Sequence, residues 1–175
     1  MKKQFAQING YRLSFASVGA ETAPAVILSH ALATRAEVWG YQLPLLSQRF
    51  RVILYDVRGH GESEALGDRY SLEELANDVV KLLDYLSIER TALVGVSLGG
   101  MIGQVLALTA PERLSALVLC STGSEATEAM KTNFDLRIEA VRQKGLESQV
   151  EPTLARWFSR EFLQSAPGQP PGLRI

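Results

Sequence analysis

One serine, Ser97, sits between two glycines in Gly95-Val96-Ser97-Leu98-Gly99. The apolar run Thr91-Ala92-Leu93-Val94 precedes it, and a helical run from Met101 to Ala110 follows. This order predicts strand, sharp turn and helix, with the serine at the apex. Gly95 and Gly99 carry no Cβ, so backbone can pass close to backbone on either side of such a turn. Ser97 would then be held in a strained conformation, its Oγ exposed at a helix N-terminus. The helix dipole and free N–H groups there favour a developing negative charge. That arrangement suits attack by a hydroxyl on an acyl carbon. The alternative is a glycine-rich turn with an incidental serine.

A serine nucleophile needs a base. The chain has two histidines, His30 and His60, and both precede Ser97. Where a G-x-S-x-G serine works with a triad, the chain order is Ser, then Asp or Glu, then His. No histidine follows Ser97 in this sequence. The acids that do follow, such as Glu125 and Asp135, are weak bases unless burial raises their pKa strongly.

The elements that must position Ser97 can be read from the pattern around it. Phe5 to Ile8 and Tyr11 to Val18 read as strands around Asn9-Gly10, a hairpin signal. Ala25 to Ser29 and Val52 to Tyr55 are short, continuous apolar strands of the kind buried in parallel sheets. Val38 to Gln48 is expected to be helical. Ser71-Leu72-Glu73-Glu74 forms a capping box. It opens a helix whose Leu72, Leu75, Ala76, Val79, Leu82, Leu83 and Leu86 recur at helical spacing. The helix after Ser97 ends near Pro111, and a strand from Leu114 to Cys120 follows. Strands alternating with helices predict an α/β fold, a mostly parallel sheet with helices on both faces. From Ser124 the strand pattern stops. Phe134, Ile138 and Val141, then Leu154, Trp157 and Phe158, mark amphipathic helices. The expected organisation is a core over residues 1–123, the start of a helical cap over 124–163, and an irregular tail over 164–175. Three prolines and two glycines between Ala166 and Gly172 motivate the tail.

With 175 residues and 46% hydrophobic content, the chain has one domain's worth of core. Its net charge is −1, with acids and bases interspersed, and no nucleic-acid or membrane partner is expected. Lys2 and Lys3 are not followed by an apolar segment, so a secretion signal is not expected. The single cysteine, Cys120, sits in a strand-like run; it reads as a core residue and fits a reducing cytoplasm.

Three stretches together resemble the α/β-hydrolase family: Ser29-His30-Ala31-Leu32, Tyr55-Asp56-Val57-Arg58-Gly59-His60-Gly61-Glu62-Ser63, and the glycine-flanked Ser97. The first matches the family's His-Gly loop, with Ala31 in place of glycine. The resemblance implies that the backbone N–H groups of Leu32 and Leu98 form an oxyanion hole, where the backbone carries the chemistry. It also implies that His30 and His60 are structural and that Asp56 and Arg58 pin their loop. More narrowly, Val96 to Gln104, Ala110-Pro111-Glu112-Arg113-Leu114, Asp135-Leu136-Arg137-Ile138, Ala140-Val141-Arg142 and Arg156-Trp157-Phe158 are similar to the 3-oxoadipate enol-lactonases of the β-ketoadipate pathway. The resemblance runs from near residue 5 to about residue 162. Family members continue with strands that carry the triad acid and histidine, and those last strands are missing here.

Two readings follow. In the first the chain is a serine hydrolase of a carboxylic ester or lactone, most nearly an enol-lactone. Ser97 is the nucleophile, Leu32 and Leu98 hold the oxyanion, and neither cofactor nor metal is required. Arg137 could hold a substrate carboxylate bidentately, or lie on a solvated helix face. Trp157 could form a substrate wall, or cap core. In the second reading the chain is an inactive, truncated hydrolase, without triad acid and histidine. Either way the strand Leu114 to Cys120 is left with an apolar edge. Unless the tail or another subunit covers it, self-association is expected.

Overall fold

Six strands form one sheet in the order β1-β2-β4-β3-β5-β6, seen in a computed structural model that describes residues 2–67 and 69–165. β1 (Gln4–Ile8) and β2 (Tyr11–Val18) form the expected hairpin. Asn9 and Gly10 at its tip have φ of 46° and 82°, the paired positive angles of a tight two-residue turn. β2 runs antiparallel to β4 (Arg51–Tyr55). The rest is parallel: β4 with β3 (Ala25–Ser29), β3 with β5 (Thr91–Val96), and β5 with β6 (Leu114–Cys120). Antiparallel pairing is thus confined to the N-terminal edge.

The two-residue period of the central strands divides their side chains between two cores. Ile27, Ile53 and Leu93 face α2 (Leu72–Tyr85) and α3 (Leu98–Thr109), joining Val79, Leu82, Ile102 and Leu106. Val26, Leu28, Val52 and Leu54 face the other way, against Ala36, Trp39, Leu43 and Leu46. The central strands are therefore covered on both sides, which explains their unbroken apolar runs. The capping box of α2 is complete: the Glu74 amide donates to Ser71 Oγ at 3.2 Å, and the Ser71 amide donates to Glu74 Oε2 at 2.8 Å.

One segment corrects the sequence-based expectation. Val38 to Gln48 is not a single helix. A 3-10 turn, Ala36–Trp39, is followed by a short α1, Leu43–Leu46. Gly40 weakens helix between them, and Pro44 has no N–H to donate to a preceding turn.

After β6 the described residues contain no strand. They form α4 (Glu128–Lys144), a 3-10 turn (Leu146–Gln149), α5 (Val150–Trp157) and α6 (Arg160–Ser165). Thr127 caps α4, its side chain accepting from the Met130 amide at 3.3 Å. Gln164 and Ser165, expected in the irregular tail, instead end α6; the rest of that expectation, from 166 on, lies outside the described residues.

Candidate active site

Ser97 stands between β5 and α3 with φ 52° and ψ −112°, a conformation that L-residues rarely adopt. Backbone and side-chain hydrogen bonds hold it there, among them a bond from the Met101 amide to its carbonyl at 3.0 Å. Its amide donates to the Cys120 carbonyl at 3.0 Å, its carbonyl accepts from Gly100 at 2.9 Å, and Thr122 Oγ1 donates to the same carbonyl at 2.9 Å. Thr122 carries no sequence signal for this role; only the packing of β6 beside β5 brings it there. The flanking glycines are required for close approach. A Cβ on Gly95 would strike the backbone of Gly99, and one on Gly99 would strike the Ser29 carbonyl.

The loop after β3 is tied to this turn. The Gly99 amide donates to the His30 carbonyl at 3.1 Å. Two residues on, Leu32 heads a tight turn in which Thr34 donates to Ala31 through its amide at 3.2 Å and through Oγ1 at 2.7 Å. Ala33 has φ 61°, and Leu32 is 38% exposed. Ala31, which stands where glycine was expected, is buried and fits without displacing these bonds. Among the described residues neither the Leu32 nor the Leu98 amide donates a hydrogen bond.

Both histidines are committed to backbone. His30 is fully buried; its Nε2 accepts from the Val57 amide at 2.9 Å, and its Nδ1 lies 2.8 Å from the Ala31 carbonyl. Burial pushes its pKa down to about 4, with the neighbouring His60 adding to the effect. His60 accepts from the Ala33 amide at Nε2, at 3.3 Å, and its Nδ1 lies 3.1 Å from the Arg58 carbonyl. Asp56 pins the same region by accepting from the Ala36 amide at 2.8 Å and the Glu62 amide at 3.0 Å. Arg58 makes a two-point ion pair with buried Asp78, at 3.0 Å and 2.6 Å. These groups build the loop, and the ring nitrogens of both histidines are taken up by backbone partners.

A cavity of about 420 Å³ opens between the Leu32–Thr34 turn, the His60 loop and α4. Phe134, Ile138 and Val141, the apolar stripe read from the sequence, line it together with Arg137. Leu32 and Arg137 are thus brought to one cavity. Ser97 and Trp157 are not among its lining residues, and Trp157 is 42% exposed at the end of α5. Gln149, which no sequence pattern marks, also lines the cavity and is 8% exposed.

A family model described as alpha/beta hydrolase fold matches residues 24–168. The chain is 34% identical over 155 residues to 3-oxoadipate enol-lactonase 2 of Acinetobacter baylyi, covering 89% of this chain and 57% of that relative. A crystallised hydrolase from Pseudomonas aeruginosa superposes with TM-score 0.88 at 38% identity, over 94% of this chain and 62% of that one. The enol-lactonase from Burkholderia xenovorans superposes with TM-score 0.87 at 34% identity, over 92% and 62% respectively. The chain therefore spans less than two thirds of the length of these relatives.

Proposed function

The chain belongs to the alpha/beta hydrolase fold family, and from that premise we propose that it bears the nucleophile of a serine hydrolase acting on carboxylic esters or lactones. The observation that carries this reading is the strained Ser97 at the strand-to-helix turn, tied through Gly99 to the His30 loop. Ser97 Oγ attacks the acyl carbon as its proton passes to a general base, and the carbonyl oxygen takes the negative charge. The Leu32 and Leu98 amides stabilise that oxyanion. Collapse breaks the acyl C–O bond, and the leaving oxygen takes the proton back from that base and departs as an alcohol or enol. Water then cleaves the acyl–serine ester and frees Ser97. An enol-lactone carrying a free carboxylate suits the cavity, with Arg137 as the group that binds the carboxylate. The enol-lactonase relatives support that substrate class, and a place in the β-ketoadipate pathway is part of the same proposal. We further read residues 124–163 as part of a helical cap above a core over 1–123, and place the protein in the cytoplasm, where the single cysteine suits a reducing medium.

A second reading rests on the histidines. Because His30 and His60 both bond to backbone, these 175 residues taken alone are catalytically silent. Any base that serves Ser97 then lies outside them. Turnover of p-nitrophenyl acetate by the wild-type chain, Ser97→Ala and His30→Ala separates the readings. Turnover lost in Ser97→Ala supports an active nucleophile, and its further loss in His30→Ala would make His30 the base against its present hydrogen bonding. Equal, near-background rates in all three support the silent reading.

A further inference from the structure

We propose that Gln149 is a positioning residue that orients the Arg137 guanidinium for a carboxylate ligand while leaving its charge uncompensated. The proposal rests on the reading of Arg137 given above and assigns the group that makes it selective. Gln149 Oε1 accepts from Arg137 Nε at 3.3 Å, and Gln149 Nε2 lies 3.3 Å from Ser148 Oγ. The Phe134 ring lies 5.3 Å from the guanidinium carbon. An amide on one edge and an aromatic ring nearby restrict the guanidinium plane, and the two terminal nitrogens remain for a bidentate acceptor.

The charge balance points the same way. Among the described residues no carboxylate pairs with Arg137. A second cation, Arg156, lies close enough to act on it, and the partner of Arg156 is the neutral Thr153 Oγ1 at 3.1 Å. Burial first, and Arg156 second, hold Arg137 below the ordinary arginine pKa. Two cations, each bonded to a neutral group, form a site that gains from an anion. A glutamate at position 149 would have supplied that anion from within. The amide holds the same edge without doing so. Ile138 and Val141 beside it give room for a short aliphatic body.

The probes are adipate and dimethyl adipate, titrated into the chain and followed by NMR chemical shifts. The wild type should bind adipate about ten-fold tighter than the diester, the scale of one charged hydrogen-bonded contact. Gln149→Glu should remove that preference, and Gln149→Leu should reduce it severalfold. Arg137→Met should erase it. No preference in the wild type, or a preference that survives Arg137→Met, overturns the Arg137 reading itself. A preference lost in Arg137→Met but retained in both Gln149 variants overturns the inference about Gln149 alone. Equal weakening of both probes in the Gln149 variants also overturns it, because a merely structural residue would behave that way.

Discussion

The amide of Gly99 donates to the carbonyl of His30 across 3.1 Å, joining the first turn of α3 to the loop after β3. This bond sets the spacing between the two segments proposed to hold the oxyanion. It is possible only because Gly99 has no Cβ, which would enter the Ser29 carbonyl. The obstacle is backbone in a buried strand, so it cannot swing aside.

Gly99→Ala should therefore cost about 3 kcal/mol or more, at or above the upper end for overpacking a core. Gly145→Ala is the comparison. Gly145 has φ 77° and ψ 168°, a region almost reserved for glycine, but nothing within 4 Å of its missing Cβ, so only the backbone penalty of about 1–3 kcal/mol applies. Urea denaturation midpoints measure both. A loss for Gly99→Ala no larger than for Gly145→Ala would mean that the loop yields and that the tie is soft.

His30 gives the fold a defined acid sensitivity. Burial lowers its pKa from 6.5 to about 4. Between those values the unfolded chain binds a proton that the folded chain refuses. Stability should then fall as pH drops from 6.5 to 4, with nothing lost from this group above 7. The full effect is about 3 kcal/mol if His30 acts alone. His30→Asn should be less stable at neutral pH yet flatter across that window. Thermal melts at pH 7, 6, 5 and 4 compare the slopes; equal slopes in the two proteins would count against a buried, neutral His30.

Asp78 should be a costly acid to remove. It is 2% exposed and accepts from Arg58 twice and from Asn9 Nδ2 at 2.7 Å. Asp78→Ala leaves the Arg58 charge buried at 6% exposure with only the half-exposed Glu74 carboxylate, 4.0 Å from its Nη1, to face it. A loss of about 3–5 kcal/mol is expected, the usual result of breaking one side of a buried pair. Replacing both, as Arg58→Met with Asp78→Leu, should recover much of it. A double variant as unstable as Asp78→Ala would show that loop geometry, not the orphaned charge, sets the cost.

The sequence made some of this legible and hid the rest for physical reasons. A strand buried on both faces announces itself as an apolar run, which is how β3 is legible; the apolar run of β6 marks its limits equally well, although most of its residues are exposed. Gly95, Ser97 and Gly99 were readable because the sharp turn leaves few residue choices. The segment from Val38 to Gln48 misled because its apolar spacing is helical while Gly40 and Pro44 interrupt it. Gln149 and Thr122 were invisible. Their roles arise from contacts 12 residues away, with Arg137, and 25 residues away, with Ser97, and no local pattern encodes such pairs. Arg137 was picked out by resemblance and residue type, while the cavity that gives it meaning needed the packing of α4 against the Leu32 turn.

The outer edge of β6 makes a separate prediction about this polypeptide in solution. β6 pairs with β5 on one side, and among the described residues no strand pairs with the other. Val118 and Leu119 on it are 47% and 46% exposed, whereas β3 is buried almost throughout. An apolar strand edge with free N–H and C=O groups is a template for another strand. Self-association that grows with protein concentration is the expected behaviour in light scattering. Val118→Lys with Leu119→Lys should suppress it, since desolvating two charges opposes edge pairing. A wild-type chain that stays monomeric at high concentration would refute the prediction. Association undiminished in the lysine double variant would move the contact from β6 to the exposed apolar residues of the helices, such as Leu136 and Trp157.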